Sequence, residues 1–288
     1  MTILEVITRS SEFLAKKGVE SPRLQVELTL AHILKMPRMK LYLSFERVLT
    51  EPELTALRTL IQRRGNREPL QYILGSVNFC GLELAVTPKV LIPRPETEIL
   101  AEKAWKHLLK SEIANPKSPI ALDLCTGSGC LAITIAANAP QAQVHATDLS
   151  TDALAVAKEN ALRHKQERIQ FHQGDCFAGL PKELRFDLIV TNPPYIATAE
   201  CTTLQPEVRD HEPRTALDGG ADGLDFYRRI AVEAQPFLAE NATIMLEFGD
   251  GQAPAISEIF QQQKWIVETI EADYTSRPRI LIAKFNLK

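Results

Sequence analysis

The sequence predicts an α/β protein in which a mostly parallel, doubly wound sheet follows a small helical domain and a β-hairpin. Residues 1–70 carry apolar side chains at helical spacing, whereas from about residue 96 short β-prone runs alternate with helical segments. Such alternation is typical of a parallel sheet covered by helices. The predicted domains are 1–70 (helical), 71–95 (hairpin connector) and 96–288 (α/β).

Capped segments predict the helices of the first domain, and a turn signal predicts the hairpin. "SPRLQVELTLAHILKM" begins with Ser21 as a cap followed by proline, and "TEPELTALRTLIQRRGN" repeats the pattern with Thr50 as the cap. In residues 71–92, alternating β-prone residues lie on both sides of Cys80-Gly81, which is the pattern of a hairpin between two domains.

The α/β domain begins with a predicted helix over 96–110. Because the carboxyl ends of parallel strands meet at one edge of a sheet, the residues that follow each strand should lie together. The expected strands are "PIALDLC", "QVHATDL", "IQFHQGD" and "FDLIV", the expected crossover helices are "CLAITIAANA" and "STDALAVAKENALRHK", and "ATIMLEFG" and "RILIAKF" are late strands on either side of one more helix.

Composition limits the class of protein. Hydrophobic residues make up 45% and charged residues 24% of the chain, as in an ordinary globular protein. The apolar runs are far shorter than the ~20 residues of a membrane span, and "MTILEVITRSSEFLAKK" lacks the apolar core of a secretory signal. Five cysteines without a C-x-x-C pair and six scattered histidines predict a cytoplasmic protein with no disulfide framework, no metal and no membrane contact.

The net charge of −3 disfavours a broad contact with nucleic acid. Residues 1–70 carry +4 and the rest of the chain −7. An asymmetry of this size is ordinary for solvated surface, or else it belongs to a mildly basic module that meets an acidic partner.

A glycine turn follows the first strand of the α/β domain. Gly127-Ser128-Gly129 allows a ligand to approach the backbone at the carboxyl edge of the sheet, although a tight strand–helix turn would use the same residues. Asp148 ends the next strand 21 residues after Gly127, where an acid can accept both hydroxyls of a ribose. The alternative role of Asp148 is a helix cap, for which Ser150 is better placed.

This turn is neither a dinucleotide fingerprint nor a phosphate-binding loop, since it has neither the spacing of the one nor the lysine of the other. A ligand with a ribose and no phosphates fits best, and S-adenosylmethionine is the obvious member of that class. Asp175-Cys176 ends the third strand and would then lie beside the adenine, unless Asp175 is only the polar residue that closes a strand.

The fourth strand ends in Asn192-Pro193-Pro194-Tyr195, which cannot continue a sheet because two successive residues lack an N–H. The side-chain carbonyl of Asn192 and the main-chain carbonyl of Pro193 can converge on a conjugated –NH2 group, and Tyr195 offers a face for that planar group. The protons of such a nitrogen become better donors as positive charge develops during attack on a sulfonium methyl, so these acceptors favour the transition state. The alternative is a purely structural turn.

"LDLCTGSG", Asp148 and "NPPY" together resemble methyltransferases that act on amino groups with S-adenosylmethionine. "EPLQYILG", "LIPRPETE", "EPRTALDGGADGL" and "LEFGDGQ" further resemble the release factor glutamine N5-methyltransferases, the PrmC/HemK family, over almost the whole chain. The resemblance implies a class I, Rossmann-like methyltransferase domain behind a helical substrate-binding domain and a hairpin. It also implies methyl transfer to N5 of the glutamine in the Gly-Gly-Gln motif of class 1 peptide chain release factors, with S-adenosylhomocysteine as the product.

Matching positions imply the roles of individual residues. The protein is expected to act as a monomer on release factors, without direct contact to nucleic acid or a metal. The residues expected to bind the cofactor are Cys125, Thr126, Gly127, Ser128, Gly129, Asp148, Asp175, Cys176 and Asn192. The residues expected to bind the substrate amide are Asn192, Pro193, Pro194 and Tyr195, and the catalytic ones among them are Asn192, Pro193 and Tyr195.

Two residues depart from the pattern of the family. Cys125 stands where a glycine is often the first residue of the loop, and Cys176 stands where an aromatic residue is common. These departures put the packing around the methionine end and the adenine in question. The neighbouring Phe177 is the expected substitute for stacking on adenine.

Alternatives remain open. Arg94, Glu96 and Thr97 have a role at the site, where they close over the cofactor or order the substrate loop, or else they form an interdomain salt bridge and a helix cap. Rival functions are an adenine-N6 methyltransferase of nucleic acid, which would use the same tetrapeptide on a flipped base, and a glutamine methyltransferase of a ribosomal protein. A non-catalytic binding module is less consistent with the intact segment from Asn192 to Tyr195, and the sequence shows no haem-ligand motif that would favour a porphyrin enzyme.

Overall fold

The computed structural model describes residues 1–109 and 118–285. The α-helices are α1 (Ile3–Lys16), α2 (Pro22–Ile33), α3 (Arg38–Leu41), α4 (Glu51–Gly65), α5 (Leu70–Leu74), α6 (Pro95–Leu108), α7 (Cys130–Asn138), α8 (Thr151–Arg163), α9 (Pro206–Arg209), α10 (Asp225–Glu233) and α11 (Ala253–Gln262). The β-strands are β1 (Ser76–Phe79), β2 (Leu82–Ala85), β3 (Ile120–Leu124), β4 (Gln143–Asp148), β5 (Gln170–Gln173), β6 (Phe186–Thr191), β7 (Leu238–Glu247), β8 (Trp265–Ala272) and β9 (Pro278–Phe285).

The chain divides into two compact units, Met1–Ser76 with Gln205–His211, and Val77–Leu204 with Glu212–Lys288. In the first unit the apolar faces of α1, α2 and α4 enclose a core of leucine, isoleucine and valine side chains. Thr50 caps α4 as the sequence predicts, because its hydroxyl accepts from the N–H of Glu53 while the Glu53 carboxylate accepts from the N–H of Thr50. Ser21 precedes α2 but makes no side-chain cap, since its backbone is left-handed with φ of 46°.

A segment distant in sequence completes the first unit. Glu207 in α9 accepts hydrogen bonds from Arg64 at 2.7 Å and from Arg67 at 2.6 Å. Burial alone would raise the pKa of Glu207, but the hydrogen bonds from the two arginines outweigh it and lower that pKa to about 2. The ionised carboxylate therefore holds residues 205–211 on the helical unit.

The second unit contains a seven-stranded sheet with the order β5-β4-β3-β6-β7-β9-β8. The strands from β5 to β7 are parallel, and β9 is antiparallel to both of its neighbours. This sheet confirms the predicted fold class. The chain moves outward from β3 through β4 and β5 and then returns to β6, so the strand order reverses between β3 and β6, where open α/β sheets bind their ligands.

Burial explains why the central strands are continuous apolar runs. All six residues of β6 are buried, because helices cover both faces of the sheet. Side chains of α6, α7 and α8 pack on one face, and side chains of α10 and α11 pack on the other.

The structure departs from the sequence prediction in several elements. Residues 70–74 form α5, so the strands of the hairpin begin only at Ser76. Helix α10 and the edge strand β8 were not predicted. The predicted helix over 96–110 ends at Leu108, and Lys110 lies outside the described residues. In the part of the chain that the structure describes, no helix is long and apolar enough to cross a membrane.

Candidate active site

A cavity of about 360 Å³ lies at the carboxyl edge of the sheet, beside the ends of β3, β4, β5 and β6. Its size is that of a small-molecule pocket. The residues predicted from the sequence that line it are Cys125, Gly127, Asp148, Asp175, Cys176, Asn192 and Pro194. Those predicted residues that lie outside its lining are Thr126, Ser128, Gly129, Pro193 and Tyr195.

The two glycines of the turn after β3 have different tasks. Gly127 has φ of +56°, and a Cβ added to it would meet no atom of the described residues within 4 Å, so its backbone is open to a ligand. Gly129 has φ of +83°, and a Cβ there would lie 2.9 Å from Ile133 and 3.1 Å from Ala157. Gly129 therefore allows α7 to pack closely on α8.

A buried carboxylate supports this turn from beneath. Asp123 accepts hydrogen bonds from the hydroxyl of Thr126 at 2.6 Å and from the N–H of Ala132 at 3.0 Å. Burial raises the pKa of Asp123 to about 7, against the effect of these two donors. Ser128 is buried, and its main-chain carbonyl accepts from the side chain of Asn160 at 2.9 Å. Thr126 and Ser128 thus shape the turn rather than line the cavity.

Asp148 joins the end of β4 to the glycine turn. Its Oδ2 accepts from the N–H of Gly127 at 2.9 Å, and its Oδ1 accepts from the N–H of Ser150 at 2.9 Å. The hydroxyl of Ser150 caps α8 by accepting from the N–H of Ala153, as the sequence predicts. Burial raises the pKa of Asp148, and the backbone donors oppose that rise. Each carboxylate oxygen keeps a lone pair for a further donor.

Cys125 and Cys176 lie together in the cavity wall. Both have left-handed backbones, with φ of +62° and +51°, although neither is glycine. Hydrogen bonding to Cys176, together with burial, raises the pKa of the Cys125 thiol well above its usual range. The expectation that Phe177 lies beside the adenine is wrong, because Phe177 is buried in the core and stacks on Phe237 at 5.5 Å. Phe226 in α10 is the aromatic residue that lines the cavity.

Two segments that sequence reasoning missed complete the wall. One segment is residues 89–91, after the hairpin, and the other, in residues 213–216, contributes Pro213, Thr215 and Ala216. Asn160 in α8 holds the end of β2, four residues before the first of these segments, because its amide both donates to and accepts from the backbone of Ala85, at 3.0 and 2.7 Å. Residues 213–216 belong to "EPRTALDGGADGL", whose resemblance to the family was the available signal.

The end of β6 is fixed against β3. The hydroxyl of Thr191 donates to the main-chain carbonyl of Leu124 at 2.7 Å, which places Asn192 beside the glycine turn. Pro193 and Pro194 are buried. Burial raises the pKa of Tyr195 to about 12, so its hydroxyl stays protonated.

Two glycines allow the chain to approach the back of this segment. A Cβ on Gly219 would lie 2.7 Å from the carbonyl oxygen of Pro194, and a Cβ on Gly223 would lie 2.3 Å from that of Tyr195. Gln252 also binds the segment, since its side-chain NH2 donates to the Tyr195 carbonyl at 2.9 Å. Motifs far apart in sequence therefore meet behind the segment from Asn192 to Tyr195.

Two polar side chains, Thr97 and Glu247, form a hydrogen-bonded chain that ends on Asn192. The Asn192 amide donates to the hydroxyl of Thr97 at 3.2 Å, and that hydroxyl donates to the carboxylate of Glu247 at 2.7 Å. Arg94 donates to Glu212 at 2.6 Å within the second unit, so this ion pair does not join the two units. The side chain of Arg94 also makes no cap on α6.

The described residues contain no group of three or more His, Cys, Asp or Glu side chains placed to hold a metal ion.

Comparison with known proteins places the chain in a family. A model of the PrmC N-terminal domain matches residues 5–75, and a model of the methyltransferase small domain matches residues 104–208. A methyltransferase structure from Pyrococcus furiosus, 21% identical, superposes with a TM-score of 0.54 over 72% of this chain and 91% of its own, and so supports the fold.

Two curated relatives are similar over nearly the whole chain. The release factor glutamine methyltransferase of Geobacter sulfurreducens is 46% identical over 91% of this chain and 89% of its own length. That of Chlorobaculum tepidum is 43% identical over 88% and 87%, respectively. These relatives, together with the fold and the cavity at the switch point of the sheet, establish that the chain belongs to the release factor glutamine methyltransferase family.

Proposed function

We propose that this protein transfers a methyl group from S-adenosylmethionine to the side-chain amide nitrogen, N5, of the glutamine in the Gly-Gly-Gln motif of class 1 peptide chain release factors. S-adenosylhomocysteine is the second product. The observation that carries the proposal is that one cavity holds both Asp148, an acceptor suited to ribose hydroxyls, and Asn192, an acceptor suited to an amide. Membership of the family supports the choice of substrate.

The cavity wall fits the proposed cofactor. Asp148 has free lone pairs for both ribose hydroxyls, and the backbone at Gly127 is open to close approach. Asp175, Cys176 and the ring of Phe226 would bound the adenine. When bound, S-adenosylmethionine supplies an electrophilic methyl group on a sulfonium centre.

Asn192 and Pro193 bind the amide group of the substrate glutamine. Their carbonyl oxygens accept the two protons of the glutamine –NH2 group, which become more acidic as the new nitrogen–methyl bond forms, the methyl–sulfur bond breaks and positive charge develops on the nitrogen. One of these protons is then lost to solvent. Acceptors that are fixed in advance favour that charged state over the neutral amide. Pro194 and Tyr195 shape the slot, and the raised pKa of Tyr195 keeps its ring neutral.

Recognition of the whole release factor is assigned to the helical domain. In this proposal residues 1–70 bind the release factor, residues 71–95 connect the two domains, and residues 96–288 catalyse the methyl transfer. The protein acts as a monomer in the cytoplasm. The charge of +4 on residues 1–70 supports a surface that meets an acidic partner.

The test is methyl transfer from labelled S-adenosylmethionine to a purified release factor. A factor with alanine in place of the loop glutamine is the control, and mass spectrometry locates the label. We expect label on the first factor only, and a loss of at least about 100-fold in kcat for Asn192→Ala, the scale of removing an oriented contact to developing charge. Label on DNA or on a ribosomal protein instead would refute the substrate, and full activity of Asn192→Ala would refute the mechanism.

A further inference from the structure

We propose that Thr97 and Glu247 are positioning residues that determine which end of the Asn192 amide is presented to the substrate. This inference rests on the proposed function, because it gives a reason why the oxygen of Asn192 is offered to an –NH2 group. It assigns a task to two residues that do not line the cavity.

The three side chains come from different elements of the second unit. Glu247 ends β7, Thr97 lies in the first turn of α6, and Asn192 follows β6. Glu247 and Thr97 are each only 2% exposed, so water does not compete for their hydrogen bonds. Thr97 lies between the other two, 2.7 Å from the Glu247 carboxylate and 3.2 Å from the Asn192 amide nitrogen.

The order of donors and acceptors fixes the amide. An ionised Glu247 can only accept, and the Thr97 hydroxyl has a single proton, which it donates to Glu247. The Thr97 oxygen is then left only as an acceptor, so Asn192 must turn its NH2 end toward it. A flipped amide would place two oxygen atoms against each other without a proton between them. The Oδ1 atom is therefore the group left for the substrate.

The shape of the surrounding site alone could not determine which end of the Asn192 amide faces the substrate. The two ends of a carboxamide have nearly the same size, and either would fill the same space. An amide in the reverse orientation would present N–H donors to the N–H donors of a glutamine side chain. The carboxylate of Glu247 thus acts on the substrate slot through Thr97, without touching the substrate.

Protonation of Glu247 removes this control. Burial raises the pKa of Glu247 to about 7, and the hydrogen bond from Thr97 opposes that rise. A protonated Glu247 can donate to the Thr97 oxygen, which frees the hydroxyl proton of Thr97 to bond the Oδ1 atom of a flipped amide, while a lone pair of the Thr97 oxygen can still accept from the NH2 end of the unflipped one. Orientation is therefore enforced above pH 7 and relaxes below it. The other charged or titratable groups that interact with Glu247 are Glu96, Arg94, Arg279, Tyr195, Tyr227 and Cys130.

The test compares Thr97→Val, which keeps the shape and loses the hydroxyl, with Thr97→Ser, which keeps the hydroxyl. Thr243→Val is the matched control, because Thr243 is also buried and its hydroxyl has no hydrogen-bond partner among the described residues. We expect Thr97→Val to lose about tenfold in kcat, the effect of one hydrogen bond, with the Kd for S-adenosylmethionine unchanged. Thr97→Ser and Thr243→Val should stay within about threefold of the wild type.

A second readout does not depend on activity. In NMR spectra of the free protein, the side-chain NH2 signals of Asn192 are identified by their absence in Asn192→Asp. We expect slow exchange with water in the wild type and Thr97→Ser, and fast exchange in Thr97→Val. We also expect these signals to titrate near pH 7 in the wild type but not in Glu247→Gln.

The two hypotheses can fail separately. If the wild type labels no release factor, the proposed function fails, while the NMR experiment still decides the positioning role. Equal exchange in Thr97→Val and the wild type would overturn the inference. So would a Thr97→Ser variant no better than Thr97→Val, or a Glu247→Gln variant with the titration of the wild type.

Discussion

Replacing Gly219 by alanine tests whether the close approach of Gly219 to the segment from Asn192 to Tyr195 sets the geometry of that segment. The added Cβ would lie 2.7 Å from the Pro194 carbonyl oxygen, 2.8 Å from the Tyr195 Cα and 2.9 Å from the Gly223 carbonyl oxygen. All three atoms belong to the backbone, so no side chain can rotate away. One of the two segments must move.

The size of the movement follows from these distances. Ordinary contact of a Cβ begins at 3.4 Å, so the Pro194 carbonyl must move by about 0.7 Å. A displacement of about 1 Å of a positioned group costs roughly 100-fold in rate, and overpacking costs about 1–3 kcal/mol in the free energy of unfolding. We therefore expect Gly219→Ala to lose about 10- to 100-fold in kcat.

The assay combines kcat on a release factor, the Kd for S-adenosylmethionine by calorimetry, and the free energy of unfolding in denaturant. Gly81→Ala is the control, because Gly81 lies in the hairpin turn with φ of +79° and a Cβ there would meet no described atom within 4 Å. That variant should lose about 1–2 kcal/mol of stability through backbone strain alone and keep its kcat. A Gly219→Ala enzyme with kcat within twofold of the wild type would refute the reasoning.

Two further predictions concern carboxylates. Asp148→Asn should raise the Kd for S-adenosylmethionine at least tenfold, because hydrogen bonds to a charged acceptor contribute about 1.5–3 kcal/mol. The control in the same titration is Glu159→Gln, which changes an exposed side chain. An equal Kd for the two variants would contradict the ribose role of Asp148. The lowered pKa of Glu207 means that its ionised form adds stability above the usual pKa of 4.5, and that this stability is lost as the pH falls toward 2. Glu207→Gln should therefore cost roughly 2 kcal/mol at pH 7 and progressively less in acid, as measured by urea unfolding at several pH values; an equal loss at pH 7 and pH 3 would contradict this account.

Much of the sheet was predictable because each central strand has a recognisable apolar pattern in its own local sequence. The run from Phe186 to Thr191 is apolar throughout and is buried on both faces, so sequence and burial agree. The position of Asp148 and Asn192 beside the cavity was predictable for a related reason: each stands at the carboxyl end of a strand, and parallel strands bring these ends to one edge. Strand β8 was missed because exposed Ile266 and Ile270 blur the apolar alternation that marks an edge strand.

Other parts of the site could not be predicted because nothing local specifies them. The sequence presents Cys125 and Cys176 as separate departures from the family pattern, yet the two residues line one cavity only once β3 and β5 are folded into one sheet. Phe177 was expected at the adenine because it neighbours Cys176, but the packing of Phe237 draws it into the core. Phe226 lines the cavity from a helix whose sequence gives no sign of it.

Asn192 can be recognised from its local sequence, whereas Thr97 and Glu247, the residues that orient it, cannot. An amide followed by two prolines is a local pattern, but its orientation depends on Glu247, which lies 150 residues from Thr97 in the chain. A carboxylate at the end of a late strand has no distinctive signature, and its effect passes through a hydroxyl whose direction only the folded structure fixes. Residues that touch a substrate can be inferred from their chemistry, whereas residues that orient them are defined by burial and by the order of donors and acceptors. Substitutions in the second group should therefore change the rate and its pH dependence while leaving cofactor affinity intact.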